Sequence, residues 1–540
     1  MPPSTPASVR VLVCDELDPI AIEELHSRGI EPLIRTGMTE DELIEALPGV
    51  HALLVRSATK ITSRVLEAAK DLELIGRAGV GVDNVDVPVA TSRGVVVMNT
   101  PTGNTVTTAE LAISLICSLA RHVPAGHRKA REGVWSKKGL MGMEITGKTL
   151  GVIGLGRIGA EVAKRGQGLC MNVIAHDPYL SATGAASPVT GVELMDLKEV
   201  LKQADVITLH VPLHDSTRNL IGAEQIAMMK PGARIINTAR GGLIDESAMI
   251  KALDSGHLAG AALDVLAEEP PSKEHPLVQR DDVIVTPHLG ASSKEAQVNV
   301  AIQIAQQTAT FFLDGVAENA INLPAMMTAE RRALGPWSRL AKAMGRFLAQ
   351  RTKEPISKIE FSTLGSAQDL PQEHLERALL AGVLQQSLDR GVNLVNAPLL
   401  ASERGIRMLR GESGDAGKFD GLLRARVSCK GGSESHMVGG TVFGEMLRFV
   451  RVDGADVDLD PSGPMLITRH HDRPGVVGVI GTTLGAAHIN IRRVELGPGG
   501  KPGEGLSSAF LSLYDRPPME ILKAVSDLDP VVSAQLVELG

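Results

Sequence analysis

The chain is poor in the residues that mark several function classes. Aromatic residues make up 2% of its 540 positions, with two tryptophans and two tyrosines. A surface that stacks successive bases of single-stranded nucleic acid is therefore not expected. The four cysteines, Cys14, Cys117, Cys170 and Cys429, lie far apart with no C-x-x-C pair. They suggest neither a metal site nor a disulfide framework, and a reducing compartment fits. Positive charge is not in excess: the formal net charge is −8, which argues against nucleic acid or an anionic membrane as partner. Long apolar runs are missing too. The longest, Leu111 to Ala120, is about half a membrane span and reads as a buried helix. The start, Met1-Pro-Pro-Ser-Thr-Pro6, has no apolar h-region and is no secretory signal. A cytoplasmic protein is expected; the alternative is an organellar one whose leader has been trimmed.

What is abundant is aliphatic. Hydrophobic residues are 43% of the chain, so cores must be packed with Val, Leu, Ile, Ala and Met. At roughly 100–200 residues per domain, three or four domains are expected. Short apolar runs at Val9–Cys14, Val50–Val55, Leu72–Ile75 and Val95–Met98 alternate with helix-period segments, which is the rhythm of an α/β unit with a parallel sheet. The rhythm restarts at Thr149–Ile153. It continues through Val173–Ala175, Val206–Leu209, Ile235–Asn237, Ala261–Leu263 and Val283–Thr286, the strand count of a doubly wound, Rossmann-type sheet. A long helix from Ser293 to Leu313 and the exit Val316–Pro324 are read as returning the chain to the first unit. The expectation is a discontinuous α/β substrate domain (1–104 and 300–325) around a dinucleotide-binding domain (105–299).

The restart carries a glycine loop. Gly154-x-Gly156-x-x-Gly159 follows a strand and opens a helix, where orphan backbone N–H groups and the helix dipole favour a pyrophosphate. With 56 glycines in the chain, the pattern alone is weak. Asp177, at the end of the next apolar strand, adds a carboxylate for both ribose hydroxyls that repels a 2′-phosphate, so NAD is favoured over NADP. Three later strand ends carry Arg240, Glu269 and His288. Oxidising a secondary alcohol needs a base, a role suited to His; a carboxylate orients and stabilises the imidazolium, and an Arg fork takes a carboxylate or keto oxygen.

The stretches Val152–Gly159, Asn237–Glu246 and Thr286–Ser293 resemble the signatures of the D-isomer-specific 2-hydroxy acid dehydrogenases. Val55–Lys60, Gly76–Asn84 and Asn99–Asn104 are similar to substrate-domain motifs of the long-form members that act on 3-phosphoglycerate. The resemblance implies that Arg240 binds and polarises the substrate, that His288 exchanges the proton, and that Glu269 is its partner, with Glu268 a solvated neighbour. It implies an NAD site lined by Val80, Gly154, Gly156, Arg157, Ile158, Gly159, Asp177, Val211, Thr238, Ala239, Arg240, Asp264, His288, Gly290 and Ala291. Val80 stands where relatives often carry Thr. Substrate carboxylate and phosphate would be held by Arg56, Ser57, Arg77, Gly79, Asn104 and Arg240, with Lys137 and Lys138 as further candidates for the phosphate.

Beyond residue 326 the resemblance implies an α+β intervening allosteric substrate-binding domain (326–460), fitted by Val392–Pro398, and a βαββαβ ACT domain (465–540), fitted by Leu466–Gly475 and Ala487–Ile491. His470, Asp472 and Asn490 would then receive serine as feedback effector, His470 and His471 tuning the site with pH, and a homotetramer is the expected assembly. Two alternatives remain: another 2-hydroxy acid dehydrogenase, of the glyoxylate/hydroxypyruvate reductase or D-lactate dehydrogenase type, and an NAD-sensing scaffold that does not rely on turnover.

Overall fold

The computed structural model describes residues 9–324, 328–388, 391–432, 434–498 and 505–539. The first residues of the chain and the expected boundary at 325–326 lie outside them. Four sheets follow one another along the described residues.

The first sheet is wholly parallel, with Val11–Val13 between Pro32–Ile34 and Ala52–Val55, then Leu74–Arg77 and Val96–Asn99. Ala52–Val55 is buried at every position, the pattern of a strand with both faces covered. Patterning does not mark Pro32–Ile34, because only its first residue is buried at the sheet edge.

The second sheet has seven parallel strands, in spatial order Val283–Val285, Leu258–Leu263, Ala233–Asn237, Val206–Leu209, Thr149–Ile153, Asn172–His176 and Glu193–Leu194. Six match the apolar runs; the seventh, two residues long, is too short to pattern. The order reverses at Thr149–Ile153, and ligands of such sheets bind beyond the strand carboxyl ends at that point. The helix Thr105–Ala120 packs Ala109, Ala112, Leu115, Ile116 and Leu119 into this sheet's core. No single helix among the described residues is long and apolar enough to cross a membrane; this one passes only jointly with Val123–Arg131, across a 64° bend.

Ser293 caps the helix Lys294–Asp314, its hydroxyl accepting from Ala296 N at 3.1 Å. Val300, Ala301, Ile304, Ala305 and Phe312 from this helix complete the core of the first sheet. Ile321 N then bonds Val97 O at 2.7 Å, and Ala320 bridges Met98. The chain thus comes back onto the first sheet, and the helix that does so starts before residue 300.

A six-stranded sheet, ordered from Arg407–Arg410 through Ile356–Gly365, Gly421–Cys429, Ser435–Phe443 and Met446–Val452 to Ala455–Leu459, packs on the helix Thr328–Arg351. The last sheet, of Ile491–Pro498, Leu506–Leu513, Pro464–His471 and Val531–Glu538, is antiparallel in a βαββαβ chain order. One of its faces is not free: Met465, Ile467, Phe510 and Val537 share a single core with Leu340, Met344 and Phe347. The Gln350 amide completes the junction, donating to Glu538 O and accepting from Glu538 N, each at 2.8 Å.

Candidate functional site

At the switch point, Gly154 sits at φ +92°, and a Cβ there would meet His210 O at 2.6 Å. A Cβ on Gly159 would lie 1.9 Å from Gly154 O, so this glycine lets the helix Arg157–Gly168 start against the turn. Gly156 differs: a Cβ there meets nothing within 4 Å, and no side chain caps the helix it opens. That open space before uncapped N–H groups is a cradle of the kind a pyrophosphate fills. Asp177 is buried, with Oδ2 accepting from Leu155 N at 2.9 Å and Oδ1 from Tyr179 N at 3.0 Å and Leu180 N at 3.1 Å. It therefore welds the glycine loop to its own strand end and caps the next helix while presenting a carboxylate beside the loop. Arg157 is exposed at the mouth, Ile158 and Val211 are half-buried, and Thr238 Oγ1 is buried without a hydrogen-bond partner. These features fit NAD.

The His288 ring stands on a residue at φ +54°. Its Nδ1 meets Glu269 Oε2 at 2.7 Å, so Nε2 is the nitrogen left for a substrate. Buried Asp264 holds the turn in place: Oδ1 accepts from Thr286 Oγ1 at 2.6 Å and Leu289 N at 2.7 Å, and Oδ2 from Gly290 N at 2.8 Å. Burial raises the Asp264 pKa, and these hydrogen bonds oppose the rise. On its other oxygen, Glu269 accepts from Leu266 N at 3.1 Å. A Cβ on Gly241 would fall 1.8 Å from Leu266 O, so the absence of a side chain lets the Arg240 turn pack on the turn that carries Glu269. Arg240, Glu269 and His288 are thereby mechanically joined. Ala291 adjoins this turn, its carbonyl taking the Gln297 amide at 2.7 Å. Glu268 points into solvent.

Across the cleft, Arg77 is pushed down to about 10, first by burial and then by the Arg240 charge, with Arg56 adding and Asp83 and Asp15 opposing. Its Nε is buried without a partner, as is Asn104 Oδ1 at the start of Thr105–Ala120. Gly79, at φ +147°, is where a Cβ would meet Arg77 Nη1 at 1.7 Å. An unpartnered guanidinium repelled by neighbouring guanidinium charges describes a site built for an anion. Arg56 is partly engaged, donating from Nη1 to Glu16 O at 3.2 Å, and Ser57 is exposed. Val80 contributes its carbonyl, which accepts from Asn99 Nδ2. Lys137 and Lys138 both stand exposed on the segment before Thr149, where Lys129 Nζ donates to Lys138 O at 2.8 Å.

Sequence reasoning missed Asp83, which pairs with Arg240, and Glu246, which accepts from Ala267 N at 2.8 Å and meets His275 Nε2 at 3.4 Å beneath the Glu269 turn. Both lie inside motifs already noted; their partners are far off in sequence.

In the last sheet, Asp472 is exposed just before the uncapped start of the helix Val476–Ala486, whereas Asn490, also exposed, follows the other end of that helix and meets Tyr514 at the opposite end of the sheet. His470 is 3% exposed, because strand alternation turns it inward with Leu466 and Thr468.

Residues 113–290 match the family described as D-isomer specific 2-hydroxyacid dehydrogenase, NAD binding domain, and residues 333–453 match the D-3-phosphoglycerate dehydrogenase intervening domain. The chain is 41% identical to a D-3-phosphoglycerate dehydrogenase of Archaeoglobus fulgidus, over 98% of this chain and all of that one. It is 39% identical to one of Bacillus subtilis, over 98% and 99%. Among solved structures, a glyoxylate reductase from Paecilomyes thermophila superposes with a TM-score of 0.53 at 30% identity, over 58% of this chain and 98% of that one.

Proposed function

The chain belongs to the D-3-phosphoglycerate dehydrogenase family, and we propose that it oxidises D-3-phosphoglycerate to 3-phosphohydroxypyruvate, the first step of the phosphorylated route to serine. It is an NAD-dependent oxidoreductase. The observation that carries the reading is the Glu269–His288 pair at 2.7 Å, locked through Gly241 to Arg240, with unpartnered Arg77 across the cleft.

NAD, the hydride acceptor, would be held by Gly154 to Gly159, Asp177, Val211, Thr238, Ala239, Asp264, Gly290 and Ala291. His288 Nε2 removes the hydroxyl proton as the carbon is oxidised, and Glu269 stabilises the imidazolium so formed. Arg240 takes the carboxylate and the developing keto oxygen with its planar fork. Arg77, Arg56, Asn104, Ser57 and the Gly79 backbone hold the remaining charge of the substrate, phosphate included.

Initial rates with 3-phosphoglycerate, glycerate and lactate test this. A strong preference for the phosphorylated acid is expected; comparable rates on all three sink the phosphate assignment in favour of a glyoxylate-reductase-like enzyme. The ACT-type sheet is assigned serine feedback through Asp472, with His470 beside it, and through Asn490, in a homotetramer of the cytoplasm. Rates with added serine, and the mass of the assembly, decide the effector and the oligomer.

A further inference from the structure

Arg240 and Asp83 come from different sheets. Arg240 follows the strand Ala233–Asn237 of the seven-stranded sheet, and Asp83 lies in the loop after Leu74–Arg77 of the five-stranded one. They are 157 positions apart, yet Arg240 Nε donates to Asp83 Oδ2 at 3.1 Å. Arg240 Nη1 is anchored as well, donating to Ala239 O at 2.6 Å, and the Arg240 carbonyl accepts from Asn237 Nδ2 at 2.8 Å. The contact has been given room. A Cβ at Gly81 would lie 1.9 Å from Arg240 Nη2 and 2.6 Å from Asp83 Oδ2, so any side chain there would wedge the pair apart.

Stability does not explain this arrangement. The Asp83 side chain is 68% exposed, and an exposed ion pair contributes only about 0–1 kcal/mol. Orientation does explain it. A guanidinium grips a carboxylate through a planar fork, which works only when the plane is held. Asp83 and Ala239 O hold that plane from two directions and leave Nη2, which lies beside Gly81, without a hydrogen-bond partner among the described residues. Asp83 also opposes the repulsion between Arg240 and Arg77, two cations that must share one small site. Because the pair spans the cleft, Arg240 is aligned only when the two domains stand at this separation.

We propose that Asp83 is a positioning residue for the oxidation, fixing the Arg240 guanidinium across the domain cleft so that its free N–H groups meet the 2-hydroxy acid. The inference rests on the reading that Arg240 engages substrate. Asp83→Ala in the full-length enzyme is expected to lower kcat by about 10–100-fold, the scale of a misplaced catalytic group. NAD affinity should be unchanged. Asp83→Asn, which keeps an oxygen acceptor for Nε, should recover part of the loss and stands in if the alanine variant does not fold. The deciding measurement is the cycle with Arg240→Lys: the double variant should be no slower than Arg240→Lys alone. Losses that multiply would overturn the proposal, as would normal kcat in both Asp83 variants while Arg240→Lys is impaired. An unimpaired Arg240→Lys enzyme would instead remove the assignment of Arg240 itself.

Discussion

His288 Nδ1 and Glu269 Oε2 stand 2.7 Å apart, although one residue follows the strand Leu258–Leu263 and the other the strand Val283–Val285. Parallel pairing of these strands brings their carboxyl ends side by side, and the second carboxylate of the neighbourhood, Asp264, is spent on backbone N–H groups. Glu269 alone therefore answers the imidazole. His288→Ala is expected to reduce kcat by about 10²–10⁴-fold, the worth of a positioned general base, with NAD binding intact. Glu269→Gln should cost less, because the amide oxygen still orients the ring but no longer stabilises its charge. Stopped-flow NADH formation measures both; a His288→Ala enzyme within tenfold of the parent (about 1.4 kcal/mol) rules out the assignment.

The glycines of the loop should separate by experiment. Gly159→Ala places a methyl against the Gly154 carbonyl, so a lower Tm and lost NAD binding are expected together. Gly156→Ala enters open space at φ −68°. It should leave Tm unchanged and raise the NAD Kd by about tenfold or more, since the methyl takes the room of the phosphates. Calorimetry and thermal melts of the two variants check this; unaltered NAD affinity in Gly156→Ala means that the pyrophosphate lies elsewhere.

Asp177 both caps the helix Pro178–Thr183 and presents its charge beside the loop. Removing the cap alone costs about 1 kcal/mol, which would blur any result with Ala. Asp177→Ser retains an N-cap acceptor and removes the charge. The Leu155 N–H bond is lost with the second oxygen, so Tm should fall, and the preference for NAD over NADP in kcat/KM should fall by about tenfold or more. A preserved preference would leave Asp177 a structural role only.

His470 makes the last sheet acid-sensitive. Burial holds its pKa below the ordinary histidine value, with the Asp472 charge and a Thr468 hydrogen bond acting the other way. The unfolded chain takes up this proton near about pH 6.5, whereas the folded chain resists it until lower pH. The contribution to stability is present above that value and is lost as pH falls through the folded pKa. His470→Gln should therefore lose less Tm than the parent between about pH 7.5 and about pH 5. Parallel melting curves for the two proteins across that range would exclude the effect.

The local chemistry was legible in the sequence. Glycine spacing, the Asp at the next strand end and the apolar runs depend on turns and periods a few residues long, and these are set by the chain itself. The same holds for the start of the long helix at Ser293 and for six of the seven strands in the second sheet. The edge strands Pro32–Ile34 and Glu193–Leu194 escaped notice because an edge buries little and a two-residue strand has no period. Packing decided the rest. That His470 turns inward depends on which faces other elements cover. The placing of Arg240 against Asp83, and of its turn against Leu266, depends on strand ends that meet only once the sheets are formed. A sequence sets which residues are available at each strand end; only the assembled sheets set the distances of a few ångströms on which hydrogen bonding and proton transfer depend.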